Sequence, residues 1–233
     1  MQDLIKSHEN KVQLSFASPV IVLGGGDFSP EQLREFVSKG YPLIAADGAA
    51  DAALALGMNI AAVIGDFDSI QDRQAFSADV KLIELGEQET TDFEKCLYSV
   101  DAPLFVCFGM LGKRVDHTLA AFHTIARYGG HKNIVLMDQV DLTFGVAGDF
   151  EIDLPLETRF SIYPLRPISF EKSVGLKYPL DVLQLGVGDR IGTSNETDQS
   201  RVRLTVAANQ PEPYLVILPR THFEAIVKLI SQK

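Results

Sequence analysis

The sequence predicts an α/β protein in two domains: residues 1–147 as a mostly parallel sheet with helices on both faces, and residues 148–233 as an antiparallel β-sandwich. Three observations predict it. Short apolar runs without alternation recur through the first half, as expected of strands buried on both faces. Helix-length amphipathic segments fall between them, and strands alternating with helices imply parallel pairing. After about Asp149 the pattern changes to period-two alternation broken by Pro and Gly, which marks half-buried strands joined by close turns.

The first-half strands are expected at Val20–Leu23, Leu43–Ala46, Ile60–Ile64, Lys81–Leu85, Leu104–Phe108 and Ile134–Met137. Between the first two, Ser29-Pro30-Glu31 opens a helix, with Ser29 as cap and Pro30 at the first helical position, and Gly40 closes it. Ala49–Leu56 is a second helix, ended by Gly57. Thr91 or Asp92 caps a third over Phe93–Val100, and Asp116–Tyr128 is a fourth, ended by Gly129-Gly130. In the second half, strands are expected around Phe150–Leu154, Phe160–Tyr163, Val182–Leu185, Val202–Val206 and Leu215–Leu218, then a helix capped by Thr221. Residues 1–18 read either as an extra strand or as a loose arm.

Composition narrows the function classes. The 233 residues carry 21 Lys+Arg against 31 Asp+Glu, a net charge of −10, which argues against non-specific binding to nucleic acid or to an anionic membrane. No apolar run approaches the ~20 residues of a membrane helix. The N-terminus reads as neither signal nor transit peptide, and two cysteines, Cys96 and Cys107, suggest neither a disulfide framework nor a zinc site. A reducing cytoplasm is the simplest home.

Ligands of open parallel sheets bind beyond the carboxyl ends of the strands. There the sequence places Gly24-Gly25-Gly26-Asp27, Asp47-Gly48, Gly65-Asp66-Phe67-Asp68-Ser69, Glu89 with Thr90-Thr91-Asp92, and Gly109 to His117. Gly-Asp-Phe-Asp-Ser is the sharpest signal. Two carboxylates two residues apart in extended backbone project to one side, and hard divalent ions take oxygen ligands. A solvated Asp-rich turn would look the same in isolation. Asp47 and Asp92 on the same edge favour the metal, because a cation offsets the repulsion of clustered carboxylates. Thr91-Asp92-Phe93-Glu94-Lys95 is a capping signal that also offers Asp92 to a metal and Lys95 to a phosphate. Arg114 offers bidentate contact to phosphate oxygens. The triple glycine is as consistent with a plain loop as with a phosphate cradle.

The ordered set Ala46-Asp47-Gly48-Ala49, Gly65-Asp66-Phe67-Asp68-Ser69, Thr91 to Leu97 and Gly112 to His117, with Gly175 to Leu180 and Gly192 to Glu196, resembles the thiamine pyrophosphokinase family. The resemblance implies transfer of the pyrophosphoryl group of ATP to thiamine, giving thiamine diphosphate and AMP, with Mg²⁺ as cofactor. It implies an N-terminal nucleotide-binding catalytic domain and a C-terminal thiamine-binding sandwich in a homodimer, with thiamine held near the subunit interface. By motif match, Asp66, Asp68 and Asp92 hold Mg²⁺. Asp47, Ser69, Thr91, Lys95, Arg114 and Asp116 contact ATP, and Asp68, Asp92, Lys95 and Arg114 serve the chemistry. Ser194 and Asn195 meet thiamine, and Tyr178 supplies an aromatic wall. The sequence departs from the family pattern at Ala49-Ala50-Asp51, Lys113, Glu89 and Tyr178. A Mg²⁺-dependent phosphohydrolase and a nucleotide sensor without turnover are the readings from other classes. Thiamine dependence of AMP formation separates them.

Overall fold

The computed structural model describes residues 12–208 and 212–232. The chain divides into two compact units, one running through residue 124 with 136–138, the other comprising 125–135 with 139 onward.

The first unit runs β1 (Leu14–Ser15), β2 (Val20–Leu23), α1 (Pro30–Ser38), β3 (Leu43–Ala46), α2 (Ala49–Ala55), β4 (Ile60–Gly65), β5 (Lys81–Glu84), α3 (Asp92–Ser99), β6 (Val100–Asp101) and β7 (Phe105–Phe108), after which come α4 (Val115–Tyr128) and β8 (Ile134–Met137). The strands order as β7-β2-β3-β4-β5, and every pairing among them is parallel. All residues of β2, β3 and β7 are buried, which is why these segments are uninterrupted apolar runs. At the end of that order, β5 buries only Ile83 and carries Lys81 and Glu84, charges that suit a strand with one open side. Ser29 caps α1 as expected, its Oγ accepting from the Gln32 amide, with Pro30 at the first helical position. Leu14–Ser15 pairs parallel with Val100–Asp101, so part of the ambiguous N-terminal stretch is a strand. Residues 1–11 lie outside the described residues.

The second unit holds β9 (Asp141–Ala147), β10 (Phe150–Asp153), β11 (Arg159–Pro164), β12 (Ile168–Val174), β13 (Leu183–Leu185), β14 (Gly192–Glu196), β15 (Arg201–Val206), β16 (Pro213–Pro219) and α5 (Phe223–Ser231). Its strands form the antiparallel ladders β10-β15-β12-β13 and β14-β11-β16-β9. Aromatic contacts join the two ladders: Phe150 meets Phe160 at 6.4 Å between centroids, and Phe170 meets Tyr214 edge-on at 5.4 Å. These contacts bury the facing sides of both ladders.

β9, within residues 1–147, pairs antiparallel with β16 along its whole length and lies in the second unit. The strands of the first 147 residues are therefore mostly and not purely parallel, and the fold as a whole is mixed α/β. One expectation changes. Thr221 lies inside a 3₁₀ turn over Arg220–His222 and does not cap α5. Among the described residues, no helix is long and apolar enough to cross a membrane.

Candidate active site

Three carboxylates meet where β3 and β4 end. Asp47 follows β3 with φ of 47°, and Asp66 follows β4. A Cβ on Gly65 would lie 2.6 Å from the Asp47 Cβ, so only glycine lets the two strand ends close in this way. Phe67 is buried and left-handed, with φ of 63°, so Asp66 and Asp68 converge through a turn and not through the expected extended backbone. Arg73 pins that turn. Its guanidinium lies 4.9 Å from the centre of the Phe67 ring and is itself held by Glu84 at 3.1 and 3.2 Å. As a result, carboxylate oxygens of Asp47, Asp66 and Asp68 lie within 4.8 Å of one another.

The electrostatics suit a cation. Asp47 is 4% exposed, and its Oδ1 is buried without a hydrogen-bond donor among the described residues, a costly state for an anion that a bound ion would relieve. Asp66 is held below its ordinary value, chiefly by the Gln88 amide, which donates to Oδ2 at 2.8 Å, against the opposing effect of burial. Asp92 is shifted the other way. Burial raises it, Lys95 lowers it, and the charges of Asp47 and Asp66 raise it further. Asp92 thus sits in the field of the cluster while its carboxylate pairs with Lys95 Nζ at 3.1 Å. The expected ligand set was Asp66, Asp68 and Asp92. The structure groups Asp66 and Asp68 with Asp47, and gives Asp92 an ammonium partner. The donors are all oxygen, which fits a hard divalent ion such as Mg²⁺.

Of the other expected nucleotide residues, Ser69 bonds to the cluster itself, and Thr91, Lys95, Arg114 and Asp116 lie elsewhere in the first unit. Thr91 caps α3 in a complete capping box. Its Oγ accepts from the Glu94 amide at 3.3 Å, and its own amide donates to the Glu94 carboxylate at 3.2 Å. Lys95 is 2% exposed, so the phosphate-binding candidate is a buried ammonium held by Asp92. Ser69 Oγ donates to Asp68 Oδ1 at 2.8 Å. Arg114 and Asp116, both well exposed, form a two-bond pair with each other at 3.1 and 2.6 Å. That pair lowers Asp116 to about 2, through the Arg114 hydrogen bond above all.

Two of the three glycine amides are committed to the chain. The amides of Gly24 and Gly26 donate to the carbonyls of Phe108 and Gly109 at 2.8 and 2.6 Å, so they fasten two loops together and are not presented to a phosphate. Lys113 Nζ completes the fastening on the Gly25 carbonyl at 3.0 Å.

In the second unit, Tyr178 exposes its ring, while Asn195 is 5% exposed and committed to the chain. Asn195 Nδ2 donates to the Tyr178 carbonyl at 2.7 Å, and its Oδ1 accepts from the Tyr178 amide at 3.1 Å and the Glu196 amide at 2.8 Å. Its amide therefore holds the Tyr178 segment in place. Ser194 is exposed with φ of 60°, and its amide donates to Ser161 Oγ at 3.0 Å.

Sequence reading missed Glu87, Gln88, Arg73 and Tyr98. The one available signal was an acid placed two and three residues before amides that need acceptors, the pattern by which a side chain folds a loop onto itself.

Comparison with known proteins supports the family resemblance. Residues 33–137 match the family model described as Thiamin pyrophosphokinase, catalytic domain. Thiamin pyrophosphokinase 1 of Caenorhabditis elegans is 31% identical over 157 residues, 61% of this chain and 64% of that protein. Thiamine pyrophosphokinase 1 of Oryza sativa subsp. japonica is 26% identical over 160 residues, 60% of each. The matched stretches thus span less than two thirds of these relatives. Among solved structures, thiamine pyrophosphokinase from Bacillus subtilis superposes with a TM-score of 0.70 at 20% identity, covering 87% of this chain and 99% of that one. Thiamin pyrophosphokinase from Candida albicans superposes at 0.71 and 14% identity, covering 91% and 90%. These likenesses establish the fold. Nothing in the comparisons supports the phosphohydrolase alternative.

Proposed function

We propose that this chain is a thiamine pyrophosphokinase, which moves the pyrophosphoryl group of ATP to the hydroxyl of thiamine and releases AMP. The observation that carries the proposal is the convergence of Asp47, Asp66 and Asp68 within 4.8 Å at the carboxyl ends of parallel strands, in the stretch that matches the catalytic-domain family. The hydroxyl oxygen forms a bond to the β-phosphorus, the bond from that phosphorus to the α–β bridging oxygen breaks, and the hydroxyl proton leaves to solvent or a carboxylate. Mg²⁺, held by the carboxylates of Asp66 and Asp68 with Asp47 or Asp92, supplies charge neutralisation for the phosphates when bound.

The chain's own residues do the positioning. Lys95 is a fixed positive charge at the head of α3, held by Asp92 against the pull of bulk water. Arg114 offers a planar guanidinium fork, which a triphosphate can take over from Asp116. Thr91 and Ser69 offer hydroxyls around the same rim. In the second unit Tyr178 offers an exposed ring suited to a cationic heterocycle, with Ser194 beside Asn195 in the same substrate-binding role. The reading includes a cytoplasmic homodimer.

The test is AMP formation from ATP, with and without thiamine. AMP production that requires thiamine is expected, with Asp68→Asn cutting turnover on the order of 10²-fold while the circular dichroism spectrum stays unchanged. Phosphate release that ignores thiamine, or near-normal turnover by Asp68→Asn, would refute the assignment.

A further inference from the structure

We propose that Glu87 is a positioning residue, whose carboxylate folds the segment from Glu87 to Thr91 into the arc that brings Gln88 to Asp66 and sets Asp92 at the head of α3. The inference rests on the reading of the carboxylate cluster as a metal site, and it does not need the reaction to be pyrophosphoryl transfer.

Glu87 lies in the connection between β5 and α3, and its side chain accepts four hydrogen bonds. Oε2 takes the Glu89 amide at 2.8 Å and the Thr90 amide at 3.1 Å. Oε1 takes the Thr90 hydroxyl and the Tyr98 hydroxyl, the latter at 2.9 Å. The first three bonds curl the backbone around the carboxylate. The fourth anchors the curl to a side chain that is 2% exposed, on the same helix that begins at Asp92. Gln88 follows Glu87 directly, and its amide donates to Asp66 Oδ2 at 2.8 Å. Thr91 follows Thr90 and starts α3 with Asp92 beside it.

One partly buried carboxylate therefore fixes both ends of the arc: a donor to one cluster acid, and the cap residue that precedes Asp92. Burial alone would push Glu87 up, and the bonds from Thr90, Tyr98 and the backbone outweigh it and hold it low, so the acceptor stays ionised near neutral pH. A group bonded to a metal carboxylate, as Gln88 is to Asp66, typically alters metal affinity by about 10–100-fold when it is lost, and Glu87 acts by holding Gln88 there.

The test uses the whole protein and Mn²⁺ alone, titrated by calorimetry, with amide hydrogen exchange of residues 87–91 measured alongside. Tyr98→Phe deletes one anchor and leaves every charge in place. Glu87→Gln removes two or more acceptor bonds. Both are expected to weaken Mn²⁺ binding, Glu87→Gln by about 10-fold or more, and to speed exchange in residues 87–91. Tyr214→Phe, which also deletes a buried tyrosine hydroxyl bond, to the Gly148 carbonyl at 2.9 Å, is the control expected to change neither. If Glu87→Gln fails to fold, Tyr98→Phe decides the question. Unchanged Mn²⁺ affinity in the folded variants, or weaker affinity with unchanged exchange at 87–91, would overturn the positioning role. Weaker affinity and faster exchange in a protein that makes no AMP from ATP and thiamine would sustain that role and remove the assigned reaction.

Discussion

Asp47 shows how one residue can be poor for folding and suited to a bound cation. Its left-handed backbone, its burial and its undonated Oδ1 all raise the energy of the metal-free chain, and Asp66 and Asp68 add repulsion. Asp47→Asn keeps the shape and removes the charge. The metal-free protein is expected to gain about 1 kcal/mol, a rise of roughly 2–4 °C in thermal midpoint, and to lose the further rise that Mg²⁺ gives the parent. A scanning calorimeter with and without Mg²⁺ checks this. A midpoint that falls in the metal-free state, or a Mg²⁺ response as large as the parent's, contradicts it.

Asp116 carries a different residue-scale expectation. Its carboxyl is held at about 2 by Arg114, below its ordinary 3.8. A lowered carboxylate contributes stability that is full above the ordinary value and is lost as pH falls through the lowered one. Carbon NMR of the Asp116 carboxyl is expected to titrate near about 2, and to return to the ordinary carboxylate range in Arg114→Ala. A titration unchanged by that substitution would contradict the ion pair. The aspartates of the site were legible in the sequence, because acids at the ends of apolar runs stand out. Glu87 and Gln88 were not, because their work depends on where the Tyr98 hydroxyl and the Asp66 carboxylate arrive in space.

At the scale of elements, α3 is the piece that joins fold to site. Its capping box sets where the helix begins, and that start sets the direction of Asp92 and Lys95. Thr91→Ala removes the acceptor for the Glu94 amide and is expected to cost about 1 kcal/mol in urea denaturation with an unchanged slope. A loss below a few tenths would mean that packing of the buried α3 side chains, and not the cap, fixes the helix start.

The elements that sequence reading found and missed differ in one respect. Val20–Leu23, Leu43–Ala46 and Ile134–Met137 were found to the residue, since a strand buried on both faces needs nothing but apolar side chains. Ile168–Val174 was missed. A register shift between Phe170 and Lys172 breaks its alternation, so the buried positions Ile168, Phe170 and Ser173 no longer keep period two. Asp141–Ala147 was missed because Gly145 reads as a breaker. In the fold, a Cβ at Gly145 would lie 2.5 Å from Ile125 Cγ2, so the strand needs that glycine for close packing.

For the whole molecule, the net charge of −10 and the carboxylate cluster point the same way. The chain concentrates acid at the carboxyl ends of its parallel strands, and its parallel α/β unit brings together residues separated by many positions in sequence. The class of fold was legible because periodicity changes abruptly near Asp149. The closeness of Asp47 to Asp66 and Asp68 was legible only as a shared strand-end location, since the contact depends on the glycine at 65 and on the turn at Phe67. The most direct measurement is anomalous diffraction from crystals of the protein soaked with Mn²⁺ and a non-hydrolysable ATP analogue. The account predicts a manganese peak bonded to oxygens of Asp66 and Asp68, with the analogue's phosphates on its open side. Manganese elsewhere, or an analogue bound away from these two side chains, would contradict it.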